Sequence, residues 1–342
     1  VSFEIGIRPF LTDSTLLAGQ IGYTAMFFGL SYYLALNPNK LIDRVGKLLT
    51  PALLFVLAIL FVKSFASPLG DILTPTGSYV DAPYAQGFQD GYQTMDLLAS
   101  IAIGTLVVNS VRMRGVTGNR AIGKVCIMAG LIALFLMACV YGSLSYLGAT
   151  SASVLGHSVN GGQLLADAVG IFFGPAGNVI LAIIIGLACL TTCCGVASGA
   201  AWYFNKLFKN KISYERLLLI ISLFSFAASN IGLTQIIALA VPFLVMIYPL
   251  VIVFVVLSLL DGFIGGRKRV YRWACDITLA FAIIDGLNAA GVQVPILNAV
   301  LADYVPFYSI MLGWLIPAIA GAVIGWVVSL FQTASVEDTA KE

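Results

Sequence analysis

Three residues near the middle of the chain, Ala188, Thr191 and Thr192, have the types and spacing to hold a small cation. On a helix they stand at i, i+3 and i+4 and share one face. Two hydroxyls with a backbone carbonyl freed by its surroundings present the hard oxygen ligands that an alkali cation takes. The ordinary alternative is a threonine bonded back to a carbonyl of its own helix, or packed on a neighbouring one. The residues alone leave both open. The stretch around them, residues 176–204, is apolar enough to cross a bilayer.

A second candidate is Asp96, a few residues inside the outer end of another apolar stretch, residues 91–111. An acidic group at that depth is costly and is a functional candidate by default. Gly91, Thr94, Met95, Ser100 and Gly104 make this half polar and weak in helix propensity. Such composition suits a discontinuous helix, whose open N–H groups bind a carboxylate and whose carbonyls bind a cation. It suits equally a helix that begins at the interface, with Asp96 in its first turn answering the dipole.

Other polar residues read more plainly. Asp285, within IIDGLN, has Gly286 and Asn288 beside it and reads as a structural residue at a helix end. Asp276 lies four residues after Arg272, the spacing of an interfacial ion pair. His157 is the single histidine and sits in an outer loop, without partners for a zinc site or a catalytic dyad. No HExxH, GxSxG or Walker pattern is present, so an enzyme is disfavoured and no cofactor is expected. The six cysteines all fall in or beside apolar stretches, which fits small packing residues better than a disulfide framework or a soft-metal site.

These residues need elements to hold them, and composition says which kind. Of 342 residues 60% are hydrophobic and only 10% charged, against about 25% charged in a soluble domain. The apolar runs do not alternate as barrel strands do, so the chain reads as an all-α polytopic membrane protein. Nine spans are expected, over residues 14–36, 48–66, 91–111, 125–148, 176–204, 217–232, 235–260, 272–290 and 307–330. Pro242 and Pro249 in the seventh and Pro317 in the ninth predict kinks. Residues 331–342 form a short polar tail.

Charge sets the orientation. Lys40, Arg44 and Lys47 follow the first span, and Arg112, Arg114, Arg120 and Lys124 the third. Lys206, Lys209, Lys211 and Arg216 follow the fifth, and Arg267, Lys268, Arg269 and Arg272 the seventh. With Lys341, 16 of the 18 basic residues fall on one side, leaving Arg8 and Lys63 on the other. The positive-inside rule makes the basic side, tail included, cytoplasmic and places the chain in the cell membrane. The opposite loops, residues 67–90, 149–175 and 291–306, carry no Lys or Arg. Val1 then starts on the outer side, and one or three preceding spans are expected. A net charge of +2 gives no nucleic-acid footprint. The lipid bilayer is the expected surrounding, and nothing sets an oligomeric state. Few polar groups at membrane depth, with helix breaks and no filter-like loop, fit a secondary transporter better than a channel.

The sequence resembles the branched-chain amino acid:cation symporters. The similar stretches are VSFEIG from Val1, GYQTMD from Gly91, VVNSVRMRGV from Val107 and LACLTTCCG from Leu187. FAASNIGLTQ from Phe226, VPFLVMIYP from Val241 and IIDG from Ile283 continue the match in order. The resemblance implies the leucine-transporter fold, two inverted repeats of five helices followed by two more. The nine spans would be the fourth to twelfth of twelve, in one transporter domain whose first two spans and most of the third lie before Val1. It implies that the Ala188 carbonyl and the Thr191 and Thr192 hydroxyls bind sodium as coupling ion. It implies also that Thr94, Met95, Asp96, Leu97 and Leu98 lie at the break of the sixth helix, facing an amino acid substrate. The family's break often contains glycine, whereas here Leu97, Leu98, Ala99 and Ser100 follow. The expected function is sodium-coupled import of leucine, isoleucine and valine by alternating access. Proton coupling with Asp96 as the titrating group, or a sensor or channel on the same scaffold, are the alternatives.

Overall fold

The computed structural model describes residues 1–36, 38–156, 158, 160–292 and 295–339. His157 and Lys341 lie outside them, so the expectations placed on those residues stay at the level of sequence. Among the described residues all regular structure is helical. In chain order the helices are α1 (Ser2–Gly6), α2 (Asp13–Ala35), α3 (Pro38–Ala66), α4 (Pro83–Asp90) and α5 (Asp96–Met113). They continue as α6 (Asn119–Leu155), α7 (Gly161–Leu207), α8 (Tyr214–Ser229), α9 (Leu233–Leu259) and α10 (Asp261–Ile264). The last are α11 (Lys268–Ala289), α12 (Pro295–Tyr304) and α13 (Leu315–Thr339). By length and apolarity α6, α7 and α9 can each cross a membrane, and Pro51–Ala66 and Leu315–Phe331 are shorter apolar helices.

Local chemistry fixes several ends. The Asn160 side chain accepts the Gln163 N–H at 3.0 Å and starts α7. Ser213 accepts the Arg216 N–H at 3.4 Å at the start of α8, with Glu215 in the first turn. Gly174, at φ 66° and ψ −165°, interrupts α7, and the helix resumes at Pro175, one residue before the expected start of the fifth span. Only glycine adopts that backbone readily.

Several sequence expectations are corrected. The loops expected over residues 67–90, 149–175 and 291–306 contain α4, the first part of α7 and α12. The ninth span does not begin near Phe307. That residue and Met311 are left-handed, a 3-10 turn lies between them, and the helix starts only at Leu315. Pro317 therefore stands in the first turn of α13, where proline is tolerated, and bends nothing. α13 continues to Thr339, through most of the expected tail. Lys40, Arg44 and Lys47 fall within α3 rather than in a loop. Pro242 and Pro249 do lie inside α9, where each removes one N–H from the ladder.

The chain forms two compact units, one of Val1–Thr74 with Ser100–Ile236 and one of Pro75–Ala99 with Ile237–Glu342. In the first, α7 is the hub. It packs against α1, α2, α3, α6 and α8, and its Leu181 and Leu190 belong to two separate buried clusters. α1 approaches so closely that a side chain at Gly6 would come within 3.3 Å of the Ala182 Cβ.

In the second unit the tightest pairing is α11 with α13. Gly321 and Gly325, four apart on α13, lay backbone on backbone. A Cβ at Gly325 would meet the Arg269 carbonyl at 2.6 Å, and one at Gly321 the Trp273 carbonyl at 2.8 Å. Small residues at this spacing let membrane helices gain dispersion contact, where no hydrophobic force drives them together.

Candidate functional site

The sequence-selected residues fall into two sets, one in each unit. In the first unit the Thr191 hydroxyl donates to the Ala188 carbonyl at 2.9 Å. Thr191 is half-buried and Thr192 exposed. The helix is regular here, since its one non-helical residue is Gly174. The Ala188 carbonyl is therefore not freed by a helix break, which corrects the expectation, and its second lone pair takes the Thr191 proton. Two of the three expected oxygens are thus side by side. The bond is that of a back-bonded threonine, and a cation would replace the hydroxyl proton by turning the rotor.

Next to this face is a cavity of about 230 Å³, walled by Ser2, Glu4, Gln20, Tyr23, Cys189 and Cys193 among others. Its polar rim joins α2 to the end of α8. The Gln20 amide donates to the Ser229 carbonyl at 3.3 Å, and the Thr24 hydroxyl to Asn230 Oδ1 at 3.1 Å. Glu4 is paired with Arg8 at 2.5 Å. The cysteines are free thiols. Ser31 donates to Cys193 Sγ at 3.2 Å, and Cys194 Sγ to the Ser31 carbonyl at 3.5 Å, so they tie α2 to α7. Among the described residues no group of three His, Cys, Asp or Glu side chains could hold a metal ion.

In the second unit the chain runs from α4 through a 3-10 turn, Gly91–Thr94, into Met95, which is left-handed at φ 60° and ψ 11°. The helix restarts at Asp96, and the Ala99 N–H reaches the Met95 carbonyl at 2.9 Å. Both sequence alternatives are thereby realised, an interrupted helix and an acidic residue in a first turn. The interruption sits at one residue, Met95. Leu97 and Leu98 are helical and pack against Tyr92, Leu244 and Tyr248.

The first turn of α5 follows directly on this interruption. Thr94 turns away, donating to the Gly91 carbonyl at 2.8 Å. Tyr248, from α9, stacks on Tyr92 with ring centroids 4.6 Å apart. Its buried hydroxyl lies against Thr94 and the backbone of Met95 and Leu97. Sequence reasoning missed Tyr248, because a tyrosine in the run VPFLVMIYP reads as one more apolar face. Gln20, Thr24 and Asn230 were missed as well, although FAASNIGLTQ carries the last.

The remaining expectations divide. Arg272 Nε and Asp276 form the expected exposed pair at 3.6 Å. The structural role expected of Asp285 falls to Asn288. It exchanges amide bonds with Asn298 at 3.2 and 2.8 Å, while the Tyr308 hydroxyl donates to Asn298 Oδ1 at 2.8 Å. Asp285 takes no part in that bonding.

Comparison with known proteins places the chain. The sequence profile described as "Branched-chain amino acid transport protein" matches residues 1–332. The branched-chain amino acid permease BraB of Bacillus subtilis is 44% identical over 332 residues, covering 97% of this chain and 74% of the permease. The branched-chain amino acid transport system 2 carrier protein of Pseudomonas aeruginosa is 40% identical, covering 95% and 73%. The permease BrnQ of Escherichia coli K12 is 37% identical, covering 95% and 72%. No solved structure matches the chain. These relatives are permeases and carriers, not enzymes, and the apolar helices are those of a multi-pass integral membrane protein. The chain belongs to the branched-chain amino acid transport protein family.

Proposed function

We propose that the protein is a secondary active symporter that brings leucine, isoleucine and valine into the cell together with sodium, by alternating access. The family and the names of its permeases support the substrate class. The observation that carries the reading is the interruption at Met95, where the first turn of α5 begins beside the Tyr248 hydroxyl. The positive end of a helix dipole at such a break favours a substrate carboxylate. Thr94, Met95, Asp96, Leu97 and Leu98 are the substrate stretch in this reading, with Leu97, Leu98 and Leu244 as apolar wall. Such a wall separates substrates by only about 1–3 kcal/mol per methylene, so several branched side chains are accepted.

Sodium is assigned to Ala188, Thr191 and Thr192, supported by the adjacent oxygens of Ala188 and Thr191. Binding there favours the substrate-ready state and couples the gradient to uptake. The architecture proposed is the twelve-span inverted-repeat fold as one transporter domain, with nine spans in this chain and a cytoplasmic C-terminus.

The test is uptake of labelled leucine by the full-length protein in proteoliposomes, with and without an inward sodium gradient. Sodium-driven accumulation supports the reading. Accumulation driven by a proton gradient and indifferent to sodium replaces sodium with protons. No accumulation under either gradient removes the symporter.

A further inference from the structure

A buried carboxyl in the second unit is not used by the reading above. Asp285 is 3% exposed, and among the described residues its carboxyl makes neither an ion pair nor a hydrogen bond. An isolated charge in such a place is very unfavourable, and the group avoids it by holding a proton. Its surroundings are polar. Tyr92 and Tyr308 lie within electrostatic reach of it. The Trp314 indole lies beside the Tyr92 hydroxyl. Tyr92 is 5% and Trp314 3% exposed, so the hydroxyl and the indole are held together away from solvent. A buried carboxyl without a partner calls for something that binds there.

We propose that Asp285, with Tyr92 and Tyr308 near it and Trp314 beside Tyr92, is an intramembrane proton-binding site. The groups facing it exclude other ligands. Indole N–H only donates, and a tyrosine hydroxyl serves a carboxyl as donor or acceptor, so the cluster lacks the ring of oxygens a metal cation requires. α9, which presses on the neighbouring Gly286 through Met246 and the Pro242 carbonyl, contains no acidic or basic residue. α13 has none before Glu337. Asp90 is occupied by Tyr79 and Gln86, and Asp96 faces Tyr248. The described basic residues of this unit are Arg267, Lys268, Arg269 and Arg272 at the far end of α11, and thirteen residues of helix from Arg272 is about 20 Å. Among the described residues of this unit no cation is placed to neutralise Asp285. A proton does so, and the protonated carboxyl can then donate as well as accept within the cluster.

The site is tested by infrared difference spectroscopy on the purified full-length protein, with Asp285→Asn as the subtraction and monodispersity checked by size exclusion. At about pH 7, some three units above the ordinary aspartate value, wild type minus variant is expected to show the carbonyl stretch of a protonated carboxyl. Deuterium oxide should shift that band, Asp285→Glu should retain it at a displaced frequency, and Tyr92→Phe should move it. Only an ionised-carboxylate difference at that pH overturns the proposal. Loss of the band on adding sodium or potassium at fixed pH also overturns it, reassigning the site to a metal cation. Because the readout is a vibration and not uptake, its failure leaves the transport reading untouched.

Discussion

The Thr191 hydroxyl and the Ala188 carbonyl lie 2.9 Å apart on one face of α7. That bond makes the first prediction a comparison of three variants. Thr191→Ser keeps the oxygen and should keep the sodium dependence of uptake, whereas Thr191→Val, nearly isosteric, should weaken sodium binding. The loss of one ligand is expected to raise the sodium concentration for half-maximal uptake about tenfold, roughly 1.4 kcal/mol. Equal sodium dependence in Thr191→Val and wild type would remove Thr191 from the ion site.

Met95 holds a backbone that L-residues visit at a cost of roughly 1–2 kcal/mol. Met95→Gly should therefore leave the melting temperature unchanged or raise it, and preserve uptake. Met95→Ile, branched at Cβ, should lower both. A melting series of the two variants decides, and a harmless Met95→Ile would mean that the interruption lies elsewhere.

Gly325→Ala should destabilise the protein, although alanine is the better helix former by about 1 kcal/mol. The new Cβ would stand 2.6 Å from the Arg269 carbonyl and 2.8 Å from the Val270 Cα, so α11 and α13 must separate. Overpacking of this kind costs about 1–3 kcal/mol. The comparison is Gly262→Ala, where nothing lies within 4 Å, and thermal unfolding should separate the two.

Outside the spans, Tyr79 donates to Asp90 at 2.5 Å. That bond, with burial and the Asp90 charge adding to it, pushes the phenol from 10.0 up to about 12. The folded protein thus holds this proton more tightly than the unfolded chain does. The stabilisation is complete below pH 10.0 and is lost as pH rises through about 12. Difference absorbance between wild type and Tyr79→Phe should show one phenol ionising late. Ionisation at the ordinary value would mean that the bond does not form.

Much of this architecture can be read from residue types. Gly174 and Pro175 mark the start of the apolar part of α7 to within one residue of the sequence expectation, because glycine and proline act on the backbone directly. The repetition of apolar residues located the long helices α6, α7 and α9. Hydropathy fails where an apolar residue takes an irregular backbone. Phe307 and Met311 look like the start of a span, yet both are left-handed, on either side of a turn that carries the buried Tyr308.

The candidate site was legible to a lesser degree. Spacing put Ala188, Thr191 and Thr192 on one helix face, but the regular ladder through Ala188 is a property of the folded helix. Asp96 was found from its cost in an apolar stretch. Tyr248, Tyr92 and Trp314 were not, since an aromatic ring hides its polar atom from any hydropathy scale. Asp285 was seen and assigned a structural role, which in the fold belongs to Asn288 instead.

The backbone contact of α13 with α11 through Gly321 and Gly325 also has a practical use. Where Gly321 and Gly325 face Trp273 and Arg269 no side chain stands between the two backbones, so no rotamer change at those points can let one helix slide on the other. The pair is a built-in ruler. Spin labels or fluorophores on the outward faces of α11 and α13 should report one sharp separation in every condition. Distances from that pair to probes elsewhere in its unit can then be read as displacements of those elements alone.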